Sequence, residues 1–479
     1  MKNKIFIYIT LITNLFLFMG CSITPSSGKR DLNLMSEKEE SDIGKREHPK
    51  IIKQFGGIYK DDVLQNYVES LGKFLVATTE TPNRKFTFTI LDTPIINAFA
   101  LPGGYIYLTR GLIYLCQNEA QLAGVIAHEI GHVTARHSAK RYTQTVGTNL
   151  IANLINTVLR NPYLGNLVNT SASFYLLSYS RSHEYEADSL ATRYMIRAGF
   201  DPNEMANFLK VMENFSRLQK KIIGDQKKVS ELLLTHPNSS KRVKEVIDSS
   251  KDNIPLNPII GREIFLKKID GLLYGDKPED GFFYKNKFVH KALDFSFEFD
   301  ESFYFFNNPK FLLGTNEDET KIVFDIDDNP NLSDLDYFSK WGKVSKKKIK
   351  NFKKYFLNNL NISSCVIKRS KKTIKLVTIK DDDKYYRFAL ISNEEKFDFN
   401  SKKFDIVINS FQKVSSNPKL SNLKPPKIKV ISNQKESGYL KGLTEKLNLQ
   451  KKHSEEIFFS INNINTSNKN SLEKLKTIY

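Results

Sequence analysis

Residues Asn118 to His137 read NEAQLAGVIAHEIGHVTARH, and the order of residue types in this stretch sets the reading of the whole chain. Asn118 is suited to cap a helix, because its short side chain accepts a bond from an otherwise unsatisfied amide of the first turn. Glu119 and Gln121 follow, with the Glu119 charge at the positive end of the helix dipole. Leu122, Val125, Ile126, Ile130 and Val133 recur at helical spacing, so the stretch predicts a buried amphipathic helix. Inside it lies His128-Glu129-Ile130-Gly131-His132. Residues four apart sit one turn above each other, so His128 and His132 aim two imidazoles at one metal ion. Glu129, beside the first of them, reaches an activated water as general base. The alternative is a helix with two satisfied histidines, and the surrounding chain decides between them.

Downstream, Ser180-Arg181-Ser182-His183-Glu184-Tyr185-Glu186-Ala187-Asp188 places Glu184, Asp188 and Ala191 on one helical face. A carboxylate from Glu184 completes a His-His-Glu zinc site with an open fourth position for water. Asp188 is placed to orient a ligating imidazole from behind. A merely charged helix face is the competing reading. His183 and Glu186 fall on other faces and are left out of the ligand set. Further on, Thr235-His236-Pro237 leads to a helical run carrying Arg242, with Pro237 permitting a fresh helix start. His236 reads either as an oxyanion stabiliser or as a loop histidine.

Upstream, Ser36-Glu37-Lys38-Glu39 is a capping-box pattern opening a helix, and a second helix follows near Asp61. Lys85 to Leu91 alternates Phe86, Phe88 and Ile90, which predicts a half-buried strand. Short extended segments, Ile95 to Leu101 and Tyr105 to Thr109, flank Pro102-Gly103-Gly104. A strand at a sheet edge beside the metal can take a substrate peptide as one more strand. Ile106, Tyr107 and Leu108 are the candidates, with an ordinary buried strand as the alternative. Residues 142–180 hold few charges and many Asn and Ser, which disfavours a membrane span and predicts helices flanking the cleft.

The chain has 479 residues, enough for two or three domains. Hydrophobic content of 40% and aromatic content of 12% indicate folded, not disordered, chain. Lys2 and Lys4 precede an apolar run from Ile5 to Met19 and then Gly20-Cys21, the pattern of an export signal over residues 1–20. A small residue followed by Cys, ahead of SITPSSGKR, marks Cys21 as the candidate lipid anchor of a linker over 21–35. The motif is imperfect, with Phe18 where Leu is usual. Cys116 and Cys365 then make at most one bridge, and buried thiols are expected. A net charge of +19 would suggest nucleic acid in a cytosolic protein. An exported chain meets anionic lipid headgroups or cell-wall polymer instead, so no nucleic-acid partner is expected. Solvated lysines that need no partner are the plainer account.

Taken together, four motifs in order resemble one family, the HtpX-like and prenyl-protease-like zinc metallopeptidases, in its periplasmic branch. They are Asn97-Ala98-Phe99-Ala100 with Pro102-Gly103-Gly104 and Arg110-Gly111-Leu112, then HEIGHVTARH, then EYEAD, then THPNSSKR. The resemblance covers roughly residues 36 to 247. It implies that His128, His132 and Glu184 bind one Zn²⁺, that Glu129 is the base and that Asp188 supports a ligand. It also implies that His236 approaches the metal, stabilising the oxyanion or holding the enzyme latent, with Arg242 as the arginine that follows it. Asn97 belongs to the substrate-binding set.

After a mixed linker at 251–282, residues 283–415 change to alternating segments such as Phe295-Ser296-Phe297-Glu298-Phe299. Helices are predicted near Lys346–Asn358, a basic one, and Phe404–Phe411. Residues 427–479 resemble a degenerate LysM-like module. The expected fold is α+β: a mainly helical zincin-like domain with a small sheet over 36–250, a strand-rich α/β accessory domain, and the LysM-like tail. The expected function is a zinc-dependent endopeptidase acting on unfolded or misassembled envelope proteins, lipid-anchored on the periplasmic side of a bacterial membrane, with outer-membrane assembly or cell-wall partners. The alternatives are a latent peptidase serving as a chaperone or binding module, and a cell-wall hydrolase.

Overall fold

The structure, a computed structural model, describes residues 21–23, 28, 30–145, 178–223, 236, 240–251, 253–308, 310–328, 332–381, 384–434, 438–465 and 472–479. The expected export signal at 1–20 and most of the helical region expected over 142–180 lie outside these residues. The chain divides into two compact units, one made of residues up to 220 with 227–272 and 460–464, the other of the remainder.

In the first unit, Cys21–Ile23 pairs antiparallel with Arg30–Leu32. Helix α1 (Glu37–Gln54) starts at the expected capping box: the Glu39 amide donates to Ser36 Oγ at 3.2 Å and the Ser36 amide to Glu39 Oε2 at 2.7 Å. Helix α2 (Asp62–Val76) is capped by Asp61. Strands β1 (Thr87–Leu91), β2 (Ala98–Leu101) and β3 (Tyr105–Thr109) form a sheet in the order β1-β3-β2, with β1 parallel and β2 antiparallel to β3.

Helices cover both faces of this sheet. Ile51 and Phe55 of α1 pack with Leu91, Phe99, Leu101 and Tyr107, each such side chain contributing about 1.5–3 kcal/mol when fully buried. On α2, Gly72 lies so close to Phe88 that a Cβ would come within 2.4 Å of the ring. Phe88, Thr89, Ile90 and Leu91 are consequently all buried, where the alternation had predicted one solvated face. The outer edge of β1 is also occupied: Gln65 of α2 donates to Phe88 O at 2.8 Å and accepts from the Ile90 amide at 3.1 Å.

The placement of β3 corrects a second expectation. Ile106, Tyr107 and Leu108 form the middle strand, bonded to β1 on one side and β2 on the other, and each is 0% exposed. Their backbone groups are used within the sheet, so they cannot accept a substrate strand.

Helix α3 (Arg110–Leu115) leads to α4 (Glu119–Thr134), whose cap is the predicted one, the Gln121 amide donating to Asn118 Oδ1 at 2.8 Å. Every residue from Ala120 to Thr134 is buried, so α4 is enclosed on all sides and not amphipathic. Helix α5 (Arg181–Arg197) lies along it, and Gly131 permits the approach, since a Cβ there would stand 3.1 Å from Ala187 O. Helices α6 (Asn203–Ile223), α7 (Ser240–Ser250) and α8 (Arg262–Ile269) follow. Helix α8 falls in the stretch expected as linker; it is a structured segment that buries Phe265, Leu266 and Ile269. Among the described residues no helix is long and apolar enough to cross a membrane.

The second unit contains a three-stranded antiparallel sheet of β4 (Phe282–Tyr284), β5 (Lys287–His290) and β6 (Phe295–Glu298). It also contains a seven-stranded antiparallel sheet of β7 (Tyr304–Asn308), β8 (Phe311–Thr315), β9 (Lys321–Asp328), β10 (Ile349–Leu357), β11 (Leu360–Arg369), β12 (Lys372–Asp381) and β13 (Lys384–Asn393), in the order β10-β11-β12-β13-β9-β8-β7. Phe404, Val407 and Ile408 of α10 (Phe397–Asn409) share a core with Phe297, Phe324 and Phe388. A separate cluster gathers Cys365, Ile367 and Leu376 around Phe338 of α9 (Asp334–Trp341). The α+β class holds, but the basic helix expected near Lys346–Asn358 is strand β10. Asn358 and Asn359 both have positive φ, at 50° and 62°, and make the tight turn that folds β10 back on β11. Residues 427–479 run β14 (Ile428–Ser432), α11 (Tyr439–Lys446), α12 (Ser454–Ile461), β15 (Lys474–Ile478), with β14 antiparallel to β15. Cys116 and Cys365 are buried thiols.

Candidate metal centre

Helix α4 presents His128 and His132 one turn apart, and α5 presents Glu184 from its first turn, just after the Ser180 cap. His236 joins them from the segment before α7. One atom from each of these four buried residues lies within 4.8 Å of the others. His128 Nε2 is 3.0 Å from His132 Nε2 and 3.2 Å from His236 Nδ1. Glu184 carboxylate oxygens stand 3.6 Å from His128 Nε2, 3.5 Å from His132 Nε2 and 3.1 Å from His236 Nδ1. Tetrahedral zinc with arms of about 2.0–2.1 Å spaces neighbouring ligand atoms about 3.4 Å apart. The nitrogen and oxygen donor set and its spacing therefore fit Zn²⁺, held by His128, His132 and Glu184 with His236 at the fourth corner.

The surroundings hold these ligands in place. His128 Nδ1 is 3.0 Å from Asp188 Oδ1. Arg242 donates to Asp188 through Nε at 2.6 Å and Nη2 at 2.7 Å, and its Nη1 lies 2.9 Å from Glu184 Oε2. All four side chains are buried, so their charges interact across a poorly screened interior. Burial opposes charge on His128, yet Asp188 and Glu184 hold its pKa up to about 9. Burial and the charge on His128 push His132 well below the ordinary histidine value. Burial would raise Glu184, but His236 and the other imidazoles hold it well below the carboxylate range. A divalent cation held by His128, His132 and Glu184 would supply positive charge to this buried, acidic surrounding.

Glu129 is fully buried and, among the described residues, neither of its carboxylate oxygens has a hydrogen-bond partner. Burial raises its pKa, the response of a carboxylate without compensating donors. An orphaned, basic carboxylate next to a metal ligand is suited to hold a proton in transit. His236 Nε2 is 3.4 Å from Glu129 Oε1, so the same imidazole faces both ligands and base. A cavity of about 40 Å³ adjoins them, lined by His128, Glu129 and His236 on one side and by Met205, Phe208 and Met212 of α6 on the other.

Seven of the residues singled out in the sequence thus converge: His128, Glu129, His132, Glu184, Asp188, His236 and Arg242. Asn97 sits apart, buried just before β2, with its main chain bonded to Thr109 and its Oδ1 without a partner among the described residues. Two further neighbours were not anticipated. Tyr179 stacks on His132, ring centroids 4.0 Å apart, with Arg141 over its ring and its hydroxyl 3.0 Å from Ser138 Oγ. His137 meets His132 edge to face at 4.9 Å. Spacing offers no signal for either: Tyr179 precedes α5, and His137 follows the end of α4.

Two imidazoles from α4, a carboxylate from α5 and a buried glutamate beside them are the arrangement expected of an HExxH metal site. Residues 62–249 match the family model described as Peptidase family M48. The chain is similar to the beta-barrel assembly-enhancing protease of Yersinia pestis, 33% identical over 195 residues that cover 39% of this chain and 38% of that protein. It is 29% identical over 222 residues to the Escherichia coli protein of the same name, covering 44% of each. The mitochondrial metalloendopeptidase OMA1 of Schizosaccharomyces pombe is 29% identical over 238 residues, covering 48% of this chain and 67% of that protein. The matched part spans less than half the length of the two bacterial relatives.

Proposed function

We propose that the chain is a zinc-dependent metalloendopeptidase that hydrolyses peptide bonds in unfolded or misassembled proteins of the cell envelope. The observation that carries this reading is the convergence of His128, His132, Glu184 and the buried Glu129 in one centre. Zinc bound by His128, His132 and Glu184 supplies Lewis acidity toward a peptide carbonyl and toward water. Glu129 accepts a proton from the attacking water and delivers it to the leaving amine, a role its raised proton affinity favours. Asp188, clamped by Arg242, fixes the His128 ring. Asn97 Oδ1, just before β2, is the polar group that we assign to the substrate main chain.

His236 Nδ1 lies within ligand distance of His128 and Glu184, the place the reacting water needs. We read this arrangement as the latent one, from which His236 withdraws when substrate enters.

Residues 1–20 act as an export signal in this reading, and Cys21 carries the lipid that tethers the chain to the periplasmic side of a membrane, the outer one. In this reading the peptidase domain runs to about residue 250, an accessory domain from about 283 to 415, and a LysM-like tail over 427–479. The strand-helix-helix-strand order of that tail supports a LysM-like assignment. The names of the bacterial relatives support an envelope-assembly setting. The test is hydrolysis of an unfolded protein by the purified chain, followed by chelation and readdition of zinc. Activity lost with chelator and restored by zinc is expected; hydrolysis that survives chelation contradicts the reading.

A further inference from the structure

We infer that His137, with Glu186 behind it and Arg136 delivering it, is a positioning residue that fixes the tautomer and orientation of the His132 ligand. The inference rests on the reading of His132 as a zinc ligand. His132 Nδ1 is 2.8 Å from His137 Nδ1, and His137 Nε2 is 3.1 Å from Glu186 Oε2. Two ring nitrogens at that separation share one proton, so one donates and the other accepts.

Three observations agree on which does which. His132 Nε2 faces His128 Nε2 at 3.0 Å and Glu184 at 3.5 Å, so its lone pair belongs to the metal. The proton of His132 is then on Nδ1, and His137 Nδ1 accepts it. His137 must therefore carry its own proton on Nε2, where the acceptor-only carboxylate of Glu186 receives it. Each assignment requires the others. The ring of His183, stacked on His137 at 4.3 Å and 16°, limits its rotation.

The backbone shows that His137 is brought here at a cost. In a continued helix a residue five beyond His132 would lie about 140° around the axis from it. The helix instead stops, and Arg136 takes the left-handed conformation with φ 54°, turning the chain so that His137 comes back beneath His132. Glycine usually holds such a helix-ending position, since a side chain there is strained. Here the side chain is put to use: Arg136 Nε donates to Glu40 Oε1 at 3.1 Å and Nη2 to Met35 O at 2.6 Å. Glu40, itself buried, also accepts from Arg84 at 2.9 Å. Helix α1 thereby holds the turn that places His137.

The two histidine ligands are therefore supported differently, both from α5: His128 directly by Asp188, His132 through His137 by Glu186. Partners of this kind typically change metal affinity by about 10–100-fold when removed.

The test uses the full chain, with zinc affinity measured by chelator competition and ligand geometry by the visible spectrum of the cobalt-substituted protein. His137→Leu is expected to weaken zinc binding about 10–100-fold and shift the cobalt bands. His137→Asn, whose Oδ1 accepts in place of Nδ1, is expected to recover most of both. Nitrogen-15 NMR of the zinc-loaded protein should find His137 protonated on Nε2. Wild-type zinc affinity and an unchanged cobalt spectrum in His137→Leu would overturn the proposal, as would a proton on His137 Nδ1. If the wild type binds no zinc, the metal-site reading itself falls and takes this proposal with it.

Discussion

Arg242 grips Asp188 at both carboxylate oxygens, Nε to Oδ2 at 2.6 Å and Nη2 to Oδ1 at 2.7 Å, while the same carboxylate faces His128 Nδ1 at 3.0 Å. The pairing is planar and two-pronged, which an ammonium cannot reproduce. Arg242→Lys is therefore expected to behave as a loss, lowering zinc affinity by about 10–100-fold. Asp188→Asn should fall in the same range. Isothermal titration with zinc measures both, and wild-type affinity in Arg242→Lys would show that Asp188 needs no clamp.

His236 faces the ligands with one nitrogen and Glu129 with the other. With three ligands remaining, His236→Ala should keep its zinc and hydrolyse an unfolded protein faster than the wild type. A drop of about 100-fold or more in turnover would instead mark His236 as an oxyanion stabiliser.

Much of this centre was legible in the sequence, because helical spacing alone brings His128 over His132 and Glu184 over Asp188. The rest depended on features that periodicity does not carry. His137 reaches the site only through the left-handed turn at Arg136, and a helical wheel points it elsewhere. In β3, the unbroken run Ile106-Tyr107-Leu108 was itself the mark of two-sided burial. Strand β10 carries a register shift between Lys350 and Lys353, which interrupts the alternation that marks a strand. The asparagine pair that turns it, Asn358-Asn359, was the available signal.

Gly111 tests the packing around the sheet. A Cβ there would stand 2.2 Å from Pro94 O and 2.6 Å from Ile95 O, both backbone atoms that cannot swing away. Gly111→Ala should cost about 1–3 kcal/mol of stability, read by chemical denaturation of the first unit. A change below about 0.5 kcal/mol would mean the loop after β1 yields freely.

In the second unit, burial lowers the pKa of His290 from its ordinary value of 6.5, although Asp280 opposes this, and its Nδ1 accepts the Leu293 amide at 3.2 Å. Folding therefore favours the neutral ring. Above about pH 6.5 the contribution is intact, and it is lost as the pH falls toward the lower folded value, where the unfolded chain binds the proton first. His290→Asn keeps an acceptor that does not titrate. Its denaturation midpoint should fall less than that of the wild type between pH 7 and pH 5. Equal falls would remove His290 from the acid response.

The central claim is that one buried zinc ion and Glu129 together cut peptide bonds. It is met most directly by measuring zinc content and cleavage of an unfolded protein side by side for the wild type and Glu129→Gln. One zinc per chain in both proteins, with cleavage by the wild type alone, is the expected result. Equal cleavage by both would remove Glu129 from the chemistry, and zinc in neither would contradict the account at its root.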